Sequence, residues 1–471
     1  MRRLLASTVL FFTACIKLCS QIPETDAKVD AFIESQMKRE HIPGLALGVY
    51  LEGKAVRTNG YGIANVEWNV PVQSDTVFQS GSVGKQFVAV GVMMLVEEGK
   101  VSLDDSLQKY FPDAPETWKG ITVRNLLSHT SGLAEYESDE RTKPGGPFDL
   151  RLDFSEVQLY KNIAAMPLDF KPCGKWSYRN TNYVLLGMII RRVTGEFYGD
   201  FLQSRMFKPL GMTSTRIISE EDIVPHRAAG YRLVDGALKN QEWVSPTFNS
   251  TADGTLYFTV LDLNKWDAAL YTEKLVRKST LEQLWTPVTC SSGKTYPYGF
   301  GWWVQESNGH RLLEHGGAWQ GFSAYISRYV DDRLTVAVLT NLDADHSDAR
   351  RIAHGVAMLY LPDLRMKPIT DTEPQVSALL RTTLTELADG KVNLDSFALD
   401  ARTDWIPERI LGLSERLRSF GPARSLSLLE SQNEEDLHHY KYRVEFADGP
   451  MLIDLYLNRD KKITALQVRS E

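Results

Sequence analysis

Phe78-Gln79-Ser80-Gly81-Ser82-Val83-Gly84-Lys85-Gln86-Phe87 runs straight into Val88-Ala89-Val90-Gly91-Val92-Met93-Met94-Leu95-Val96, and this junction decides how the chain reads. The second half is apolar on nearly every face at helical spacing, the mark of a helix buried all round. The first half sets a serine and a lysine three residues apart. On one face of the opening turn, Ser82 Oγ and Lys85 Nζ can meet. Flanked by Val83, Gly84 and Phe87, the lysine loses hydration, and burial lowers an ammonium pKa toward a neutral, basic amine. The helix N-terminus favours negative charge developing beside Ser82. The plainer alternative is an N-cap serine with a surface lysine. Ser-x-x-Lys by itself is cheap, since it recurs at Ser35/Lys38, Ser106/Lys109 and Ser291/Lys294. Only the copy at Ser82 follows an extended segment, Thr76 to Gln79, and opens a long apolar helix.

Outward from this helix, Leu45 to Tyr50 reads as a strand, Glu52-Gly53-Lys54 as a turn and Ala55 to Arg57 as the returning strand. At the far end, Ala324 to Tyr329 and Leu334 to Thr340 flank Asp331-Asp332 as a second antiparallel hairpin. Strands at both ends with helices between predict an α+β unit whose sheet is closed by the two ends of the segment. Residues 362–375 carry Pro362, Pro368 and Pro374 in a polar setting and read as a linker. Beyond it, Val376 to Asp389 and Trp405 to Phe420 have helical spacing. Arg424 to Leu429, Tyr440 to Phe446, Met451 to Leu457 and Ile463 to Val468 follow as strands. They predict a small α+β domain over 376–471, with no catalytic constellation legible in it.

The 471 residues suit two or three domains, or one large domain with an appendage, and 43% hydrophobic with 24% charged is ordinary globular composition. A net charge of −7 with no lysine/arginine stripe argues against nucleic-acid binding. Arg2-Arg3, then an apolar run from Leu4 to Cys15, has the form of a secretory signal over residues 1–20, with cleavage after Ser20. Phe12-Thr13-Ala14-Cys15 offers the alternative of a lipid anchor on Cys15. Either way the protein is expected to be exported, periplasmic or secreted. Cys173 and Cys290 remain in the mature chain. They are free to pair in an oxidising compartment, but two free buried thiols is the reading favoured here. No Cys-x-x-Cys and no His-Glu-x-x-His occurs, so zinc chemistry has no support.

Two further elements carry chemistry. Trp176-Ser177-Tyr178-Arg179-Asn180-Thr181-Asn182 is a polar loop feeding an apolar helix, Tyr183 to Val193. A tyrosine hydroxyl there can shuttle a proton where nearby cations lower its pKa. An asparagine offers both donor and acceptor to an amide. The alternative is a capping loop with Asn180 or Thr181 as N-cap. Glu314-His315-Gly316-Gly317-Ala318 precedes the strand starting at Phe322. Its glycines let a backbone approach closely, and the N–H groups after them can serve an oxyanion hole. The alternative is a glycine-rich turn with an exposed histidine.

In the order Ser-x-x-Lys, Tyr-x-Asn, His-x-Gly, the chain resembles the serine β-lactamase and penicillin-binding superfamily, in its class C-like branch. Leu126-Leu127-Ser128-His129-Thr130-Ser131-Gly132-Leu133 and Tyr298-Gly299-Phe300-Gly301-Trp302-Trp303 add to the likeness, which covers roughly Ala27 to Leu361 of a hydrolase domain expected over residues 21–361. It implies an antiparallel sheet flanked by helices plus a helical subdomain. It implies Ser82 as acylated nucleophile, Lys85 as its activator and Tyr178 as proton shuttle. Asn180, His315, Gly317 and Ala318 would bind substrate, and the backbone N–H groups of Ser82 and Ala318 would hold the oxyanion. No metal or organic cofactor is implied, and the partner is a small-molecule or peptide substrate, cell-wall fragments included. Many members carry Lys-Thr-Gly where this chain has His315-Gly316-Gly317. That removes a fixed positive charge for a substrate carboxylate and favours a physiological amide, peptide or ester over antibiotics. A β-lactamase, a D-Ala-D-Ala carboxypeptidase, or a sensor that acylates with little turnover are the other readings. A nucleophile elbow is excluded by Ser80 in the place of its first glycine, and a P-loop by Gln79 and Gln86.

Overall fold

The computed structural model describes residues 25–470 except 291, 400, 403–407, 435 and 448. The expected leader over residues 1–20, with Cys15, and Ser291 lie outside the described residues. The chain divides into two compact units, one up to Pro362 and one from Asp363.

The first unit is organised by a seven-stranded sheet. Its strands are β1 (Gly44–Leu51), β2 (Lys54–Asn65), β3 (Val70–Pro71), β4 (Trp303–Ser307), β5 (His310–Trp319), β6 (Phe322–Tyr329) and β7 (Leu334–Thr340). Their order is β4-β5-β6-β7-β1-β2-β3. The pairs β1–β2 and β6–β7 are antiparallel hairpins, and β1 pairs antiparallel with β7, Leu45 opposite Thr340. The two ends of the unit thus meet in the middle of its sheet. Glu52 and Gly53, both at positive φ, make the first turn where the sequence carries Glu-Gly-Lys.

Helices cover both faces: α1 (residues 25–40), α2 (Lys85–Glu97), α3 (Asn180–Thr194), α4 (Val260–Ala269) and α5 (Ala349–Tyr360). Alternation along β6 sorts them. The ring of Tyr325 meets His354 of α5, whereas Arg328 reaches Asp267 of α4 at 2.8 Å. That ion pair is fully buried, and its guanidinium lies 4.9 Å from the Tyr271 ring centroid and 5.3 Å from that of Trp285. It locks α4 to the sheet. Between α2 and α4, short helices such as Val123–Leu127 and Glu156–Ala164 gather around α3 as a helical subdomain.

Helix α2 is buried all round, from Lys85 to Leu95. Full burial of each Val, Leu, Phe or Met side chain contributes about 1.5–3 kcal/mol, so this helix is the axis of the core. Phe87 packs at a tilt on Trp266 of α4, with centroids 4.3 Å apart, and Trp266 Nε1 donates to Gln86 Oε1 at 3.0 Å. The Ser82 turn therefore leads into a helix buried on all faces.

The second unit is α6 (Pro374–Ala388) and α7 (Glu408–Phe420) with an antiparallel meander. Its strands β8 (Ser425–Glu434), β9 (Leu437–Phe446), β10 (Gly449–Asn458) and β11 (Ile463–Ser470) pair in chain order. Residues read as linker are partly ordered against this sheet, with Ile369 N donating to Leu428 O. A charged group not legible in the sequence lies within the meander: Asp454 is buried between His439 and Arg469.

The reading of Cys173 and Cys290 as free thiols is corrected. They form a disulfide, with Cα atoms 5.3 Å apart across a separation of 117 residues. Sequence distance hides this proximity, because folding carries both segments to the same edge of the site.

Candidate active site

Ser82 lies in a single 3-10 turn, Gly81–Gly84, that hands over to α2 at Lys85. The turn is held from behind. Ser80 Oγ donates to Gly81 O and Gly254 O, and accepts from Leu256 N at 3.0 Å. A Cβ at Gly254 would lie 2.6 Å from the Gly81 carbonyl carbon, so this close approach requires glycine.

Lys85 is fully buried. Its Nζ donates to Ser82 Oγ at 2.8 Å, to Asn180 Oδ1 at 2.7 Å and to the Asp253 carbonyl. Burial pulls its pKa down to about 8 against the opposing charges of Asp253, Glu137 and Glu135. The surface-lysine alternative fits the other copies instead: Lys38 is exposed, and Lys109 is exposed and paired with Asp105.

Asn180 opens α3, with Arg179 as its N-cap. Its Oδ1 faces Lys85, and its Nδ2 donates to Glu137 Oε2. Tyr178 lies just before. Its ring centroid is 5.0 Å from Lys85 Nζ, and its buried hydroxyl has no hydrogen bond of full geometry. The expectation that cations lower its pKa is corrected. Burial raises it well above 10, with the Ser82 hydroxyl pulling the other way. Tyr178 is a neutral phenol with an O–H to give.

The Tyr178 loop rests on the Ser128–Ser131 loop. Cys173 N donates to Thr130 O and Ser177 N to His129 O. The His129 ring lies 4.3 Å from that of Tyr178, and its Nδ1 accepts from Arg179 N at 3.2 Å. Burial, then the Lys85 charge, pushes His129 well below its ordinary pKa, so it is neutral.

His315-Gly316-Gly317-Ala318 is neither a turn nor a segment preceding a strand. It lies inside β5, past the last β4 pair at Glu314. From His315 onward, one side of β5 is free to face Ser82. The two-residue loop Gln320-Gly321 is closed by the pair Trp319–Phe322, which hydrogen-bonds in such hairpins; alternation makes Ala318–Ser323 the non-bonded pair. The Ala318 N–H thus points out of the sheet, toward the nucleophile turn. A Cβ on Gly81 would lie 2.3 Å from Ala318 N, and one on Gly317 would lie 2.0 Å from Ser80 O. Both glycines are needed for the backbones to come this close. Ser82 and Ala318 thus border the same small cleft.

His315 is buried, not exposed, and both its nitrogens are engaged. Nδ1 lies 2.6 Å from Gly316 O and Nε2 2.9 Å from Tyr298 OH. The pairing fits a neutral ring that donates from Nδ1 and accepts from Tyr298. Burial and then the Lys85 charge push its pKa to about 3. It does not line the cleft at Ser82, whereas Asn180 and Ala318 do.

Three carboxylates escaped the sequence reading. Glu135 accepts from Glu137 N at 2.9 Å and Asn180 N at 2.6 Å. Burial raises the Glu137 pKa to about 8, helped by the charges of Asp253 and Glu135. Asp253 Oδ2 accepts from Tyr136 OH at 2.7 Å. No spacing ties Ala134-Glu135-Tyr136-Glu137 or Ala252-Asp253-Gly254 to Ser82. A larger cavity of about 470 Å³, lined in part by Phe154, Met188 and Phe197, contains none of Ser82, Lys85 and Tyr178. Its Arg191 and Glu156 pair with each other, so size does not locate the chemistry. No cluster of His, Cys, Asp and Glu suited to a metal occurs among the described residues.

A family model described as Beta-lactamase matches residues 29–359. Penicillin-binding protein 4* of Bacillus subtilis (strain 168) is 31% identical over 311 residues, covering 62% of this chain and 67% of that protein. Protein flp of Staphylococcus aureus (strain MRSA252) is 27% identical over 331 residues, 69% of this chain and 64% of that protein. The chain thus spans about two thirds of the length of these curated relatives. Among solved structures, D-amino acid amidase from Ochrobactrum anthropi SV3 superposes with a TM-score of 0.61 at 25% identity, over 72% of this chain and 97% of that one. The octameric penicillin-binding protein homologue from Pyrococcus abyssi has a TM-score of 0.64 at 23% identity over 94% and 98%, a likeness of fold alone.

Proposed function

Because the chain belongs to the beta-lactamase family, matched across residues 29–359, we propose that it is a serine hydrolase cleaving amide, peptide or ester bonds through an acyl-enzyme on Ser82. One observation carries this reading: Lys85 Nζ is fully buried, drawn toward neutrality, and 2.8 Å from Ser82 Oγ. With a pKa near 8, about one lysine in ten is neutral at pH 7.

In the proposed sequence, Ser82 Oγ attacks the substrate carbonyl carbon as its proton passes to neutral Lys85. The carbonyl oxygen takes up the negative charge and is held by the Ser82 and Ala318 N–H groups. Asn180 steadies Lys85. Collapse breaks the bond to the leaving group, which takes a proton relayed from Lys85 through the Tyr178 hydroxyl. Water then attacks the ester on Ser82, gives its proton back along the same path, and releases the acid while Ser82 recovers its O–H. His315 and Gly317 serve by shaping β5 rather than by touching substrate. Export belongs to the same proposal. The apolar leader motivates it, and a disulfide fits an oxidising compartment. We assign residues 376–471 an accessory role.

Steady-state turnover of a p-nitrophenyl ester and of a chromogenic cephalosporin, by wild type and Ser82→Ala, tests the reading. Sustained ester turnover lost in the variant supports a hydrolase. A single burst that never recurs on any ester or amide would replace it with a sensor.

A further inference from the structure

We infer that the cavity in the helical subdomain is a second ligand site, separate from the Ser82 cleft, that takes a single aliphatic chain ending in an uncharged polar group.

Size and position come first. The cavity holds about 470 Å³, within the ~300–1,000 Å³ usual for small-molecule pockets and about three times the volume of a dry protein cavity that binds benzene. Helix α3 supplies one wall through Val184, Gly187 and Met188, and Leu159, Tyr198 and Ala252 supply others. Residues 251–255 partition it from the cleft. Thr251 and Ala252 line the cavity, whereas Asp253, Gly254 and Thr255 line the cleft. A Cβ on Gly187 would lie 2.4 Å from Ala252 Cβ, so α3 rests directly on this partition.

The lining sets the chemistry of the occupant. Its polar side chains already have partners within the protein. Tyr198 OH donates to Thr251 O at 2.6 Å, Thr251 Oγ1 to Phe248 O at 3.3 Å and Ser250 Oγ to Pro246 O at 2.8 Å. Asp153 Oδ1 accepts from both N and Oγ1 of Thr247, and Ser155 Oγ donates to Gln158 Oε1. Among the described residues, none that lines the cavity carries a buried side-chain polar atom without a partner. Such walls give water or a polar ligand little to bind, whereas hydrocarbon gains by leaving water.

The mouth points the same way. Leu152 and Val157 flank the lip residues 153–156 and are 51% and 60% exposed, so apolar surface runs from the cavity out to solvent. At this lip Glu156 pairs with Arg191 at 3.2 Å and with Arg192 at 3.5 Å. The two guanidinium groups are balanced by Glu156 and Asp153, which leaves no surplus positive charge for a carboxylate. An uncharged head suits this mouth better than an acid.

The test is calorimetric binding to full-length Ser82→Ala, which cannot pass an acyl group to an alcohol. The probes are 1-octanol, 1,8-octanediol, which is polar at both ends, and octanoate, which is charged. Octanol is expected to bind at one site, tenfold or more tighter than either of the others. Met188→Trp and Leu159→Trp, each added to Ser82→Ala, fill the cavity from different walls and are expected to weaken octanol binding at least tenfold. Where a filled variant does not fold, the Met188 methyl resonance of Ser82→Ala decides, and it is expected to shift as octanol is added. Absence of octanol binding, equal affinity for the diol or octanoate, undiminished affinity in a folded filled variant, or an unmoved Met188 resonance would overturn the inference.

Discussion

Removing the Cys173–Cys290 bond by the double substitution Cys173→Ser/Cys290→Ser should loosen the site as well as the fold. The bond closes a loop of 117 residues, for which loop-closure entropy gives about 5 kcal/mol at 25 °C. Residual order in the denatured chain makes that an upper figure. With an unfolding entropy of ~2.1 cal/mol/K per residue over roughly 340 residues, 5 kcal/mol corresponds to a fall in melting temperature of ~7 °C. The effect should reach activity, because the bond ties together the segments that lead into Tyr178 and Tyr298. Both rings pack on His129, with centroids 4.3 and 4.8 Å away. Scanning calorimetry of the oxidised protein and the double variant, with ester turnover well below both transitions, reads the two effects together. A melting temperature within about a degree of the parent would refute the reasoning. It would mean that this edge is held by packing alone.

Turnover of a neutral ester should climb about tenfold per pH unit below pH 8 and level off above it, as Lys85 sheds its proton. A profile flat from pH 6 to 9 would remove Lys85 as the base. Gly317→Ala puts a methyl group 2.0 Å from Ser80 O, which must push β5 from Ser82. kcat should drop about a hundredfold, the order of losing one oxyanion donor, and a loss under threefold would contradict the geometry. Asp267→Asn leaves the fully buried Arg328 without its counter-charge and should cost about 3–5 kcal/mol in denaturant unfolding. A cost below 1 kcal/mol would show that the surrounding rings suffice.

The frame of this molecule was readable where one local rule decides the outcome. Hairpin turns such as Glu52-Gly53 need positive φ, and a helix apolar on all faces has to be central. Ser82–Lys85 could be told from its copies because burial, not spacing, makes the pair chemical. The strand at His315 was harder. Two glycines in a row read as a turn when only local freedom is considered, but here they are a strand shaved flat so that β5 can lie against Ser80 and Ser82. Glu137 and Asp253 were silent for a different reason. They enter from separate loops, and their meaning arises only when the fold places them beside a single buried ammonium. The same holds for the disulfide, whose partners are near in space and remote in sequence.

The central claim is a covalent acyl group on Ser82. Intact-protein mass spectrometry of wild type and Ser82→Ala, each mixed with a fluorescent penicillin and separately with a p-nitrophenyl ester, tests it directly. The account predicts a wild-type adduct of the acyl mass, located by proteolysis to the peptide containing Ser82, absent from the variant, and decaying as the ester is turned over. An adduct of equal yield on Ser82→Ala, or ester turnover with no adduct passing through Ser82, would contradict it.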